Sequence, residues 1–394
     1  MNISSILKTI LLITFLLPTW LFAQNEFEVN GVYRPRFEFR DGYKSLKEEG
    51  AKPAAFVSQR ARLSFDYKNE KIETRFTFFD YRVWGDQFWK KDIASVGVHE
   101  VWAAIKLSES AKLTLGRQSF QYDNGRLVSA VNWNQVGAAH DAARFRFSKD
   151  GFELEALTAW NQNKENTTGT DYIFDGETNS LYYKNLNILW LSKKINNTQI
   201  SSMTLLDGNE EVDITDTVTS NNPNNLNYRY TTGLILKHKA GNFATVARAF
   251  YQGGKLYTGT DVNAYYLNIE TSYKLSKNTK LLLGCELMSG DDKTDTTNTT
   301  SNAFDILYGA RHKFNGRIDY FNVPSTTKSA GLVNPYAWFE YSFSKSSKIT
   351  AEYHVFFLQN NFIPENEIVA IDKYLGHEVD LTYSKKYNDF MSLT

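Results

Sequence analysis

A single cysteine, Cys285, excludes an internal disulfide, and its neighbours Leu281, Leu283 and Leu287 make it a small apolar residue rather than a reactive thiol. Past residue 23 no apolar run approaches the roughly 18 residues that a membrane-crossing helix needs. A surplus of either charge is missing too, since 44 basic and 44 acidic side chains cancel. Nucleic acid is thereby excluded as a partner, because phosphate contacts need a basic surplus. No GxSxG elbow and no HExxH pair occurs, so the commonest hydrolase signatures are absent. Only 7 prolines interrupt the 394 residues, while aromatic side chains reach 15%. That balance suits a strand-rich chain. Neither a linker nor a shift in composition divides the sequence after its leader.

The leader is residues 1–23: Lys8 precedes the apolar run 10–17, and Leu21-Phe22-Ala23 offers a small residue at the cut. It reads as a secretory signal peptide cleaved before Gln24, which leaves 24–394 as one domain.

Alternation of period two dominates the mature chain. In its first segment Phe27, Val29, Gly31, Tyr33, Pro35, Phe37 and Phe39 alternate with Glu28, Asn30, Val32, Arg34, Arg36, Glu38 and Arg40. Successive strand side chains point to opposite faces, so one face is apolar and the other charged. The same holds for Val57, Ala61, Leu63, Phe65 and Tyr67 against Ser58, Arg60, Arg62, Ser64 and Asp66. Ile72, Thr74, Phe76 and Phe78 then oppose Glu73, Arg75 and Thr77. Between 96 and 147 two strands meet across Ser108-Glu109-Ser110, a long excursion spans 119–139, and a third strand carries Ala143, Phe145 and Phe147 against Arg144 and Arg146.

Weaker alternation continues at 151–160, 181–193, 198–206, 227–238, 241–252, 262–275, 279–288, 334–344, 348–357 and 376–384. Short turns fall near 69, 109, 150, 196, 240, 277, 346 and 386. Longer loops fall near 41–55, 79–95, 119–140, 161–180, 207–226, 253–261, 289–333 and 358–375. Short turns alternating with long loops predict an all-β fold, a transmembrane antiparallel β-barrel of about 18 strands in an outer membrane. Sixteen full strands and the start of a seventeenth, 387–394, can be placed. The reading therefore expects the chain to be C-terminally incomplete, its last strand missing. Over-counting is the alternative, with 289–333 hiding a strand pair or the first segment lying outside the barrel.

Several blocks in order along the chain resemble the alginate-export family of outer-membrane barrels, in the form common in Bacteroidetes. They are RARLSFDY (60–67), DYRVWGD (80–86), HEVW (99–102), LGRQSFQYDNGRL (115–127), WNQVGAAHDA (133–142), YGARHKFNGRIDYF (308–321), GLVNPYAWFEYSFS (331–344) and LGHEVDL (375–381). The resemblance implies a monomeric 18-stranded barrel, constricted by inward loops and lined by charge, that passes an anionic polyuronate. A general or sugar-acid diffusion porin is the alternative, and an outer-membrane hydrolase a remote one.

Parity puts Arg34, Arg36, Arg40, Arg60, Arg62, Arg75, Arg144, Arg146 and Arg229 on the inner wall. Glu28, Glu38, Asp66, Glu73, Glu270, Glu286, Glu340, Glu352, Glu378 and Asp380 face inward as well, most of them late in the chain. A basic wall would then face an acidic one. Guanidinium forks match carboxylates, so an anionic polysaccharide or small anionic sugars would pass along the arginine side. Such arginines also brace any large barrel by pairing across neighbouring strands. Arg34, Arg36, Arg60 and Arg62 are the best candidates for contact with solute, because adjacent strands cluster them.

Asp123 and Arg126 lie in a turn-rich stretch, Tyr122-Asp123-Asn124-Gly125-Arg126, that is either a loop folded into the pore or a solvated outer loop. Arg117 is counted with them as a possible pore-loop residue: it shares parity with Leu113 and Leu115, which aims it at lipid unless Gly116 marks a bulge that turns it inward or the strand has already reached the interface. Three of the six histidines, His99, His140 and His377, directly precede a carboxylate, but adjacent strand residues face opposite ways and form no dyad. His354 with Glu352 reads as a polar wall pair rather than a metal site. The acidic loops 207–213 and 291–295 lack EF-hand spacing. A folded plug domain has no room before the first strand. The expectation is a passive channel with no catalytic residues, no cofactor and no metal, its outer face against membrane lipid.

Overall fold

The computed structural model describes residues 25–394, apart from 88–89, 91–94, 163–164, 166, 168–182 and 216–217. The expected leader, and parts of the expected loops 79–95 and 161–180, lie outside the described residues.

All of the regular structure described is strand. The strands are β1 (Glu26–Arg40), β2 (Ala54–Lys68), β3 (Ile72–Val83), β4 (Val96–Ser108), β5 (Ala111–Gln118), β6 (His140–Lys149), β7 (Phe152–Trp160), β8 (Asn185–Ile195) and β9 (Thr198–Thr215). After them come β10 (Val218–Ala240), β11 (Phe243–Lys255), β12 (Asp261–Lys274), β13 (Thr279–Met288), β14 (Leu332–Ser342), β15 (Ser347–Phe357), β16 (Tyr374–Lys386) and β17 (Ser392–Leu393). Each pairs antiparallel with the next in a single 17-stranded sheet. β1 pairs with β2 along its whole length, so it belongs to the sheet. β17 holds β16 through two residues, and among the described residues no ladder joins β1 to β17.

Turn chemistry sets the alternation of ends. Lys149 and Phe152 are paired across Asp150-Gly151, both at positive φ (49° and 72°), the backbone of a type I′ hairpin. At the other end the connections are long, and the 289–331 segment holds isolated bridges rather than a hidden strand pair. One expectation fails here. Residues 207–226, read as a loop, extend β9 and β10 into a hairpin far longer than the about 9–11 residues of a membrane-crossing strand. Polar side chains hid it from an alternation test, and a register shift between Asn222 and Leu226 breaks its period.

The sheet is apolar outside. Phe27, Phe37 and Phe39 are more than 60% exposed, and Leu283, Val379 and Leu381 stand out in the same way on later strands. A contiguous apolar surface of this extent is a liability in water and a solvation match in lipid. The apolar core lies inside instead. Inward Leu157, Leu186, Ile188, Met203, Leu205, Ile235, Phe250 and Tyr266, on strands β7 to β12, pack with Met288 of β13. Two inserted segments meet them, Phe120, Leu127 and Val128 from 119–139, and Phe304, Ile306 and Val323 from 289–331. At this width side chains alone cannot fill a barrel, and loops complete the core.

Leu283→Arg places a charge midway along β13 on the lipid face. It is expected to lower the folding free energy into bilayers by about 2–4 kcal/mol, read as a shift in urea-driven unfolding, whereas Leu283→Ala should lower it by less.

Candidate functional site

The inner wall is organised by the two inserted loops. On β1 and β2 the register sets Arg34 directly opposite Arg60, with Arg62 opposite Val32 and Arg36 opposite Ser58. Like charges directly opposed destabilise a sheet. Here the loop 119–139 relieves them with backbone oxygens. Arg34 donates to the carbonyls of Asn132 (2.8 Å), Trp133 (3.1 Å) and Asn134 (2.8 Å) and to Gln135 Oε1 (2.7 Å). Arg60 donates to Asn132 Oδ1 at 2.9 Å, Arg62 to the Val136 carbonyl at 2.6 Å and Arg36 to the Trp133 carbonyl at 3.1 Å. Gln135, buried to 1%, also donates to Ser58.

Arg36 additionally pairs with Glu38 (2.7 Å), which Arg40 shares (2.6 Å). Arg34, Arg60 and Arg62 have no carboxylate in ion-pair contact among the described residues, and the Nε atoms of Arg60 and Arg62 have no hydrogen-bond partner. Their positive charge is solvated by dipoles and left uncompensated.

On several other strands the wall is neutralised locally. Arg75 pairs with Asp66 (2.7 Å) and Glu100 (3.6 Å), Glu73 with Lys112 (2.7 Å), and Glu340 with Lys348 (2.7 Å). Glu155, missed by alternation, collects Arg144 (2.7 Å), Arg146 (3.0 Å) and the hydroxyl of Tyr122. Glu28 sits opposite Asp66 at the exposed start of β1.

The loop 119–139 turns inward, and Arg126 and Asp123 hold it. Arg126 forms a buried fork on Glu286 of β13 (2.8 and 2.7 Å) and donates to Asn315 Oδ1 (2.8 Å). Tyr266 and Asn315 donate to the same carboxylate (2.9 and 2.8 Å). Asp123 forms ion pairs with Arg248 and Lys237, each at 2.5 Å, and Arg248 reaches on to Glu270 at 3.1 Å.

The second loop binds the first and the far wall. Ala310 N donates to the Gly125 carbonyl (2.8 Å), and Ser129 N to that of Tyr308 (3.1 Å). Gly309 has to be glycine, because a Cβ there would run into the Arg126 carbonyl. Asp305 takes Arg229 (2.9 Å), itself on Asp207 (2.9 Å), and exchanges two hydrogen bonds with Gln252 (2.7 and 2.9 Å). Arg317 pairs with Glu352 (2.7 Å), and Glu378 accepts the backbone N–H groups of Arg317 (2.6 Å) and Ile318 (2.9 Å).

Two expectations need correction. Arg117 lies in β5, not in the pore loop, and its ladder to Asp141 runs past Gly116 without a register shift, so no bulge turns it. It forms an exposed ion pair with Asp141 at 3.0 Å. His99 and Glu100, expected on opposite faces, both reach the inside, because a bulge between Thr77 and Phe78 leaves His99 unmatched in the ladder. His99 is 5% exposed, and Glu100 accepts from Ser119 N at 3.0 Å.

The acidic stretches show no EF-hand arrangement. Residues 207–213 are strand, and Asp292 and Asp295 cap their own turns through Thr294 and Thr297. The hydroxyls of those threonines hold both carboxyls below their usual range.

Residues 26–393 match the family described as alginate export. The chain belongs to that family. Its fold is that of solved outer-membrane channels. OpdL of Pseudomonas aeruginosa superposes with a TM-score of 0.57 at 11% identity, covering 92% of this chain and 88% of that one. OpdK of the same organism, solved with vanillate, gives 0.52 at 12% over the same shares. An anion-selective porin from Comamonas acidovorans gives 0.51 at 8%, covering 91% and 98%. No curated protein matches the chain. This family member is an outer-membrane β-barrel channel, located in the bacterial outer membrane.

Arg126→Ala strands Glu286 and Asn315 in a buried site. Losing one partner of such a pair is expected to destabilise by about 3–5 kcal/mol, and limited proteolysis should then cut within 119–139, where the wild type resists.

Proposed function

We propose that this barrel is a passive channel for anionic saccharides, of which an alginate-like polyuronate is the substrate class. The observation that carries the reading is the uncompensated charge of Arg34, Arg60 and Arg62 beside the inserted loop. Five arginines elsewhere on the wall or in the loops, Arg126, Arg144, Arg229, Arg248 and Arg317, are each spent on a carboxylate. Among the described residues, the arginine charge left without a carboxylate is therefore gathered on β1 and β2. A polymer bearing one carboxylate per sugar meets it where the way is narrowed, and low-dielectric walls focus the field there. Guanidinium groups hold carboxylates in two-pronged fashion. Several weak contacts in series let the chain move on. No cofactor is needed, and solute moves down its own gradient. The apolar belt rests against membrane lipid, each barrel acting as a monomer.

The inserted loops also favour a second reading. They fill the β7–β13 side of the lumen, which suits a small sugar acid better than a wide polymer.

Single-channel recordings of the full chain in planar bilayers decide between these. Mannuronate or guluronate oligomers are expected to block the current, neutral oligosaccharides of equal length to leave it unchanged, and R60Q/R62Q to weaken uronate block at least tenfold. Block by monomeric uronates alone would favour the small-solute reading. Equal block by neutral sugars would overturn both, as would absence of conductance from a folded barrel.

A further inference from the structure

The β15–β16 wall holds a group of which the loops use one oxygen, Glu352 Oε1. These two strands bring Glu352, His354 and Asp380 together, with one ligand atom from each lying within 4.8 Å of the others. Glu352 and Asp380 are direct partners in the ladder, and His354 lies two residues beyond Glu352 on the same inward face. It is the one such group of three among the described residues.

The decisive feature is what these atoms lack. Glu352 Oε2, His354 Nε2 and Asp380 Oδ2 are all buried, and none has a hydrogen-bond partner. His354 is 0% exposed and Glu352 2%. Nε2 stands 4.0 Å from Glu352 Oε2, too far for a hydrogen bond. A buried polar atom without a partner is costly, and this group sets three of them close together, with only the long Glu352–His354 contact between them.

The surroundings prepare the imidazole as a donor. Asn334, fully buried, gives its amide N–H to the Phe314 carbonyl at 3.3 Å and sets its Oδ1 3.3 Å from His354 Nδ1. Asn334 Nδ2 lies 3.2 Å from the same ring nitrogen, and in the tautomer in which Nδ1–H donates to Oδ1, Nε2 turns a bare lone pair toward the two carboxylates. Fixing a ligand histidine through its other nitrogen is how metal sites set tautomer and ring angle. Tyr336 and Phe356 stack on the ring at 5.5 and 5.9 Å and hold it in place.

Charge points the same way. Glu352, Glu378 and Asp380 contribute three carboxylates. Arg317 is the cation in contact, on Glu352 Oε1, and Lys313 acts on Glu352 from farther off. Glu378 accepts two backbone N–H groups on Oε1, and its carboxyl also faces that of Asp380.

We propose that Glu352 Oε2, His354 Nε2 and Asp380 Oδ2 bind a divalent transition-metal cation, Zn2+ being the type that one imidazole and two carboxylates suit. Metal–ligand bonds of about 2.0–2.2 Å place tetrahedral ligands about 3.4 Å apart, so side-chain rotation draws the three atoms inward by about an ångström. Asp380, partly exposed, leaves a side open for water as the fourth ligand. The bound cation reduces the acidity of this wall and braces Glu352, which holds the 289–331 loop through Arg317. The site stands on its own geometry, whatever solute passes.

The test is metal binding by the full-length barrel folded in detergent, stripped with chelator and dialysed against micromolar Zn2+. One equivalent per chain is expected, with at least tenfold weaker binding in both H354A and D380N. D380N alters a partly exposed side chain, and heat-modifiable gel mobility confirms its fold if H354A does not fold. Co2+ loading should give visible absorption that D380N loses. Absence of bound Zn2+ in the wild type, undiminished binding in folded D380N, or displacement by equimolar Ca2+ would each overturn the proposal.

Discussion

Everything inside this barrel depends on one constraint: a charge taken out of bulk water must find a partner, and in a lumen this wide the far wall is out of reach while the neighbouring strand can carry the same sign. Arg34 and Arg60 face each other across β1 and β2, so neither can neutralise the other. The solution is to bring chain into the lumen. The 119–139 loop offers carbonyls to one wall and Arg126 to the other, and 289–331 adds Asp305 and Arg317. The loops are held in place by the charges they satisfy, and the charges are tolerable because the loops are there.

That mutual dependence gives the interior two characters. Toward β7–β13 the loops bury leucine, isoleucine and phenylalanine against an inward apolar wall and behave as an ordinary core. Toward β1 and β2 they supply only dipoles, which solvate guanidinium groups without cancelling their charge. An electropositive side of this kind suits the proposed passage of anions. At β15 and β16 the balance tips the other way, with more carboxylates than contacting cations.

Much of this was legible in the chain. Wherever a strand is polar on one face and apolar on the other, as in residues 27–40 and 57–67, parity assigns each side chain to lipid or lumen, because the pleat has period two. Parity failed where the backbone departs from that period. The bulge at Thr77 and Phe78 brings His99 and Glu100 to one side, and no local signal marks it. It also passed over Arg248 and Glu155, whose strands β11 and β7 carry apolar residues on the inward face as well, to meet the loops.

Outside the β9–β10 extension, the sequence by itself determined the strands, the alternation of short turns with long loops, the lipid-facing side and the membership of the clustered arginines, since each depends on neighbours along the chain or across one hairpin. Only the tertiary structure decided which charges are cancelled. Arg126 and Glu286 are 160 residues apart, and Arg60 finds its acceptors in a loop rather than in a carboxylate. Such pairings depend on where an aperiodic loop folds back in three dimensions, and no pattern of residues along the chain encodes that distance.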